Sequence, residues 1–364
     1  MLRLMIFNVG HGDSIVLEHI HAGRSYYGVI DSNVPRGQAT PRALDYLKNR
    51  GVEHLSFIAL THPHKDHVSG LGTIAKHFEG HIELALTYPI PRDEARLTRL
   101  KQLTAEEMRA AEEPQRSFLS QLLRFLLVAQ GTPRWEATDG LQNEVFLNGF
   151  TFGEMTLRII LPHASMKDWF FSDLSNNKIE IGGEKQNELS LAIEIVYGDQ
   201  VIVLGGDAAE RGWLYRAKHA PHSVGATIAK LPHHGSKFDC SPSVLNHIYG
   251  VEEEISQTRL ALISANGTSH PSPSVLSDLK SRGISPFCTS RATVCNGTSV
   301  TRLITDSNLD PELVRSINAY ASNSSVEGAC QGDIVVEITA HAGISVSPQY
   351  NTPCGFRHNG ALEL

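Results

Sequence analysis

Thr61-His62-Pro63-His64-Lys65-Asp66-His67 is the stretch on which the reading of this chain turns. It follows Ser56 to Leu60, a compact apolar run of strand length, which places it on the loop leaving a buried strand. Loops at strand ends carry chemistry in α/β architectures because they hold side chains on a rigid base. Three imidazoles and a carboxylate on one such loop cannot all be buried without partners, since each would lose the hydration it has in water. A shared pair of cations removes that cost. Alternate residues point the same way, so His62 and His64 can grip one ion while Asp66 and His67 turn toward a second. Imidazole with carboxylate suits zinc, manganese or iron, and the absence of a nearby Cys argues against a closed structural zinc site.

Two later segments have the right residue types to complete such a site. Asp207 follows an apolar run, Val201 to Leu204, and the pair Gly205-Gly206; a carboxylate at a strand end can bridge two ions. His233-His234-Gly235-Ser236 likewise follows an apolar run, Thr227 to Leu231. Taken singly, Asp207 reads equally as a turn residue and the histidine pair as a helix cap. Beside the first cluster they read as ligands.

The rest of the chain supplies a frame. Leu2 to Val9 and Ser14 to His19 alternate apolar and polar residues around Gly10-His-Gly-Asp13, which predicts a hairpin, and Tyr26 to Ile30 predicts a third strand ending at Asp31. A short helix is expected over Thr40 to Arg50. The segment Arg92 to Gln130 predicts two helices broken at Pro114, packed on the core or serving as a lid or dimer contact. Further strands are expected at Glu144 to Leu147, Thr151 to Leu161, Leu189 to Val196, Val201 to Leu204, Ala226 to Leu231, Leu260 to Ser264 and Pro286 to Thr289. Helices are expected near Pro242 to Ile248 and Pro273 to Ser281, and a last hairpin at Asp333 to Thr339 and Gly343 to Val346. Strands followed by helices, twice over, describe an α/β (α+β) sandwich of two mixed sheets covered by helices. One domain over residues 1–350 is expected, with a helical insertion at 92–130 and a polar tail at 351–364.

Composition narrows the class. Of 364 residues, 41% are hydrophobic and 20% charged, which excludes disorder and collagen-like repeats. No apolar run reaches the roughly 18 residues of a membrane span. The first residues pass straight into a strand pattern without a charged leader, so a cytoplasmic location is expected. The charge of 32 − 39 = −7 argues against wide nonspecific binding to a nucleic-acid backbone. Bound divalent metals would still add positive charge where a phosphate sits. Five cysteines at irregular spacing read as reduced thiols.

With these pieces in place the sequence resembles the metallo-β-lactamase-fold hydrolases. The likeness is nearest to the hydrolase domain of the bacterial competence DNA-uptake family ComEC. It is carried by Asn8-Val-Gly-His-Gly-Asp-Ser14, Val29-Ile-Asp31, Thr61 to Gly70, Asn187-Glu-Leu-Ser190, Leu204-Gly-Gly-Asp-Ala208, Leu231-Pro-His-His-Gly-Ser236 and Gly267-Thr-Ser-His-Pro271, in family order. The resemblance implies a four-layer αββα sandwich with a site on its upper edge for two divalent metal ions, zinc first and manganese or iron as alternatives. It implies His62, His64, Asp66, His67, Asp207 and His234 as ligands, with His233 turned toward substrate.

Family members place a further ligand in a His-Thr-x-Gly context that this chain lacks, and His163 and Asn187 are the candidates for that role. Asp31 is expected to orient a ligand histidine, and Asp13 to do the same or to stabilise its turn. Asp66 would orient or deprotonate the attacking water, with His233 or His270 donating to a phosphate oxygen or the leaving group. Ser236 and Lys237 could contact a phosphate. The activity expected is metal-dependent hydrolysis of a phosphodiester, with a nuclease leading. A small-molecule hydrolase acting on a phosphocholine-type ester, lactone or thioester is the alternative, as is the effector subunit of a defence or toxin assembly. Expected partners are therefore nucleic acid or a small phosphoester and no membrane, with a second copy or another protein docking on the insertion at 92–130.

Overall fold

The apolar run Phe57–Leu60 forms a strand with both faces buried: Phe57 and Ala59 point into one core, Ile58 and Leu60 into another. That double burial is why it reads as a continuous apolar run and not as an alternating one. The computed structural model describes residues 1–137, 149–220, 222–250, 259–266, 269–290, 332–339 and 343–349.

The chain opens with β1 (Leu2–Ile6), β2 (Ser14–His21) and β3 (Arg24–Ser32), then α1 (Arg42–Asn49) and β4 (Phe57–Leu60). The short helix α2 (Lys65–Val68) and α3 (Leu71–His77) lead to β5 (Leu84–Thr87). The expected insertion is a helical pair, α4 (Glu94–Ala110) and α5 (Gln115–Gly131), followed by β6 (Arg134–Ala137). Next come β7 (Phe150–Phe152), β8 (Met155–Leu161), α6 (Lys167–Ser175), β9 (Ala192–Tyr197), β10 (Gln200–Leu204), α7 (Glu210–His219) and β11 (Ile228–Lys230). The remainder is α8 (Pro242–Tyr249), β12 (Leu260–Ile263), α9 (Pro273–Ser281), β13 (Ser285–Cys288), β14 (Ile334–Thr339) and β15 (Gly343–Pro348).

Among the described residues these strands make two mixed sheets. One has the order β15-β14-β1-β2-β3-β4-β5-β6, the other β13-β12-β11-β10-β9-β8-β7. Between them lies a core to which the first sheet gives Leu2, Leu4, Ile6 and Phe57 and the second gives Leu191, Ile193, Ile202 and Leu204. The outer face of the first sheet packs on α1, α3 and α5 through Leu44, Leu47, Ile74, Phe118 and Leu122. The outer face of the second packs on α7, α8 and α9 through Val203, Trp213, Val244 and Leu276. The fold is the four-layer αββα sandwich.

Two local expectations change. Thr151 to Leu161 is not one strand but a hairpin, because Gly153 at φ 62° reverses the chain between β7 and β8. Leu189 to Val196 begins as a strand only at Ala192, since residues Glu184–Leu189 coil into a 3-10 turn. The strands β5 and β6 and the helices α3, α6 and α7 carry no strong sequence signal and were not anticipated. The expected strand at Glu144 to Leu147, residues Gly267 and Thr268 of the last motif, Cys295, Cys330, Cys354 and the tail lie outside the described residues. The insertion's apolar stripe is spent on the core, where Phe118, Leu119, Leu122, Phe125 and Leu126 are buried. No helix among the described residues is long and apolar enough to cross a membrane.

Strand direction decides where the loops gather. β3, β4 and β5 run parallel, as do β10, β11 and β12, so their carboxyl ends line one edge of the sandwich. The β1–β2 turn reaches the same edge because β2 is antiparallel to β3.

Candidate metal centre

Every segment singled out around the histidine loop ends on that edge. Asp31 closes β3, residues 61–67 leave β4, Asp207 follows β10 and His233-His234 follows β11. The two sheets are clamped there by a hydrogen bond from Leu191 N to the Thr61 carbonyl at 3.0 Å. Two glycines make the approach close enough. A side chain on Gly12 (φ +106°) would meet the Asp66 carbonyl at 2.2 Å, and one on Gly206 (φ +51°) would meet Ser190 Oγ at 2.5 Å. Asp31, His233 and His234 are themselves non-glycine residues at φ of 52°, 44° and 55°. Backbone held in that region is costly and is kept where surrounding structure enforces it, commonly at functional sites.

Donor atoms of Asp66, His67, Asp207 and His234 lie within 4.8 Å of one another, and Asp13, Asp31 and His67 form a second group that shares His67. His234 Nε2 is 3.4 Å from Asp66 Oδ2 and 3.5 Å from Asp207 Oδ2; His67 Nε2 is 3.4 Å from Asp207 and 3.6 Å from Asp66. His62 Nε2 stands 3.9 Å from Asp207 Oδ2, and the His62 and His64 rings are 4.4 Å apart.

His62, His64 and His67 are each held by one nitrogen. His67 Nδ1 donates to Asp31 Oδ2 at 2.7 Å. Thr61 Oγ1 spends its proton on Asp31 Oδ2 at 2.6 Å, so the His62 Nδ1 proton goes to that hydroxyl at 3.0 Å. His64 Nε2 donates to the Gly183 carbonyl at 3.0 Å. In the neutral imidazoles these bonds fix the tautomers and leave a lone pair on His62 Nε2, His67 Nε2 and His64 Nδ1. The first two are buried without a hydrogen-bond partner, as are Asp207 Oδ1 and both nitrogens of His234. Buried polar atoms are ordinarily paired. So many unpaired polar atoms facing a few shared ångströms is what a set of metal ligands with its outer supports looks like. The residues fit a cation.

Charge tells the same story. Burial alone would lower His67, but Asp207, Asp66 and Asp31 raise it well above the ordinary histidine range. Burial would raise Asp207 and Asp66; for Asp207 the neighbouring imidazoles His234 and His67, and for Asp66 chiefly His67 and His11, hold each well below the usual carboxylate range. The pocket is built to hold positive charge. His62 is lowered by burial and by His67 beside it, which suits a neutral ligand.

Of the two adjacent histidines, His234 is fully buried among the carboxylates. His233 is part-exposed, with Nδ1 bonded to Asp239 Oδ2 at 2.6 Å and Nε2 3.9 Å from Asp207. His270 lies at the rim, its ring 5.8 Å from that of His233 and 6.4 Å from that of His234. Burial, then His234 and His233 beside it, push it down to about 4.

The two candidates for the missing ligand part company. His163 caps a 3-10 turn, with Nδ1 against Ser165 and its ring 4.0 Å from Tyr215, and joins neither donor group. Asn187 sits on the turn whose Gly183 carbonyl holds His64, and its Oδ1 is buried without a partner.

Sequence reasoning missed Lys230 and Asp239. Lys230 is fully buried under the site, its ammonium paired with Asp13 Oδ2 and donating to the Gly206 carbonyl at 3.0 Å. A lysine inside the apolar strand run before His233-His234 was the available signal, because lysine is almost never fully buried unless paired. Asp239 was hidden as an ordinary loop residue.

No family model matches the chain, and no curated protein matches it. Solved structures do. A CmlA β-hydroxylase variant is 12% identical at a TM-score of 0.41, covering 78% of this chain and 52% of its own length. Zinc-bound PqqB from Methylobacterium extorquens is 11% identical at 0.39, covering 79% and 98%. The metallo-β-lactamase-fold protein YhfI from Bacillus subtilis is 12% identical at 0.38, covering 79% and 95%. This chain thus spans about half the length of CmlA. The αββα assignment rests on this chain's own topology.

Proposed function

We propose that the chain is a metal-dependent phosphodiesterase whose substrate class is nucleic acid. The observation that carries this reading is the convergence of donor atoms of Asp66, His67, Asp207 and His234 within 4.8 Å of one another, with His62 alongside and buried atoms of His62, His67, Asp207 and His234 left without a hydrogen-bond partner. Divalent cations bound there, zinc first, would supply Lewis-acid activation of water and of a phosphoryl oxygen.

The protein's own groups divide the remaining work. Asp66, less buried than its neighbours, stands at the mouth with Oδ2 3.0 Å from His11 Nε2, placed to take the proton of the attacking water. Asp239 orients His233 and, against the effect of burial, keeps it above the ordinary histidine range, so His233 is the donor to the departing ester oxygen. His270 is held neutral and serves as a hydrogen-bonding neighbour instead. Water thus adds at phosphorus as the ester bond breaks, one proton moving to Asp66 and one from His233.

Two features favour a polymer over a small ester. The cluster reaches solvent at His11, which is more than half exposed. Despite the net charge of −7, the segments carrying the donors expose Lys65 and Lys237, the residue type that neutralises a phosphate backbone. The resemblance to the ComEC hydrolase domain agrees with this choice.

The test is incubation of metal-loaded protein with linear DNA, RNA and a chromogenic bis-phosphodiester, with Asp66→Ala as control. Cleavage by wild type that drops by about 100-fold or more in the variant is expected; equal behaviour of both on every substrate refutes the reading.

A further inference from the structure

Phe238 is 70% exposed, the highest value among the large apolar side chains of the described residues. Single apolar residues at a surface are ordinary, but this one has an unusual setting. It stands on the turn after His233-His234-Gly235-Ser236, and that turn is fastened at each step. Ser272 Oγ accepts the Lys237 N–H at 3.1 Å, Ser236 Oγ accepts the Phe238 N–H at 3.2 Å, and the Asp239 and Cys240 amides donate to the Ser236 carbonyl at 3.2 and 2.8 Å. Asp239, the next residue, grips His233, whose other nitrogen is 3.9 Å from Asp207. The backbone that carries Phe238 is therefore held in place on the segment that leaves the donor cluster.

Phe238 belongs to none of the three apolar cores, so packing does not account for it. Its neighbour is a cation: Lys237 Nζ lies 4.9 Å from the ring centroid. Lys237 is exposed as well. An exposed aromatic ring with an ammonium over one face, on the segment leaving the proposed phosphodiester-cleaving centre, matches one repeating chemical unit, a planar base linked to a phosphate. Every base has a π face that an aromatic side chain can stack on, and an ammonium next to it meets the backbone oxygen.

We infer that Phe238 and Lys237 form a base-stacking platform that seats the nucleotide next to the scissile phosphate. The inference rests on the phosphodiesterase reading and narrows it, from nucleic acid in general to strands with at least one unstacked base. Stacking of this kind is sequence-tolerant, so the platform selects nucleic acid without selecting a sequence.

Two fluorescently labelled single strands test it, both with phosphorothioate linkages in equal number, one of thymidines and one of tetrahydrofuran abasic units. Each is titrated against metal-loaded protein by anisotropy. Wild type is expected to bind the thymidine strand about tenfold more tightly, within the range measured for removing one base–aromatic stack. Phe238→Tyr keeps that gap; Phe238→Ala and Phe238→Leu close it, the latter because leucine is apolar without a π face. Since Phe238 is outside the cores, melting curves of all three variants should match wild type. Equal binding of the two strands by wild type, or an undiminished gap in Phe238→Ala, overturns the platform. Cleavage of phosphodiester-linked versions of both strands, measured in parallel, separates the failures. If both strands are cut but bind alike, the phosphodiesterase reading stands and the platform falls; if neither is cut or bound, both fall.

Discussion

Asp31 Oδ2 accepts the Nδ1 proton of His67 at 2.7 Å, inside the protein and out of reach of water. The same oxygen accepts from Thr61 Oγ1, through which it also sets His62. One carboxylate thus fixes the tautomers of two histidines. Asp31→Asn should lower metal affinity about 10- to 100-fold, the usual cost of losing such an outer partner. Competition against a chromophoric chelator measures it, with circular dichroism showing the fold retained. Affinity equal to wild type would mean that the histidines orient themselves.

His62 and His64 stand outside both donor groups, yet each keeps one ring nitrogen, His62 Nε2 and His64 Nδ1, out of its hydrogen bonds. His62→Ala and His64→Ala are each expected to reduce metal bound per chain, while His163→Ala is not, because the His163 ring is engaged with Ser165 and Tyr215. Elemental analysis after dialysis gives the stoichiometry. A loss in His163→Ala equal to that in His62→Ala would contradict the assignment.

Lys230 is the ammonium beneath the carboxylates. Burial works against its charge, yet Asp13 and Asp207 raise it above the ordinary lysine range. Replacing it with Met leaves Asp13 buried without its cation, which costs about 3–5 kcal/mol by analogy with broken buried ion pairs. Urea denaturation should show that loss, and Asp13→Asn combined with Lys230→Met should recover part of it, since the two residues are in contact. A single variant as stable as wild type would show that the pair is dispensable.

Glu18, away from the site, gives a pH-dependent prediction. Burial would raise it, but hydrogen bonds from Arg3 and Tyr46, then Arg50 and Tyr27, hold it below the ordinary glutamate range. A carboxylate depressed in the folded state stabilises above its unfolded pKa, and that contribution fades as pH falls through the folded value. Glu18→Gln should therefore cost about 1–3 kcal/mol at pH near 7, as expected for bonds to a charged acceptor. The gap to wild type should narrow progressively below the ordinary glutamate pKa of about 4.3. Denaturant midpoints across that range decide it; a constant gap would mean that the charge of Glu18 is irrelevant.

Much of the fold was legible because burial on one or both faces writes itself into local pattern. The strands around Leu4, Ile58 and Val203 were readable for that reason, and so was the break at Pro114 between α4 and α5. The hairpin at Gly153 escaped because Phe150–Phe152 and Met155–Leu161 are both apolar and only one glycine's backbone angle divides them. Strand β6 escaped because its partners come from β5, not from its own composition.

At the site, the sequence alone determined the donor types and their loops: a short spacing such as His62 to His67 leaves little freedom in where those side chains can go. Which distant residues meet them was decided by tertiary structure. The parallel strands bring Asp207 and His234 to within 4 Å of the loop, push Lys230 beneath it, seat Asp239 behind His233 and send His163 elsewhere. The physical reason is that a coordination site is a property of convergence in space. Spacing along the chain encodes convergence only over a turn or two, and beyond that the sheet registers and the glycines at 12 and 206 set the distances.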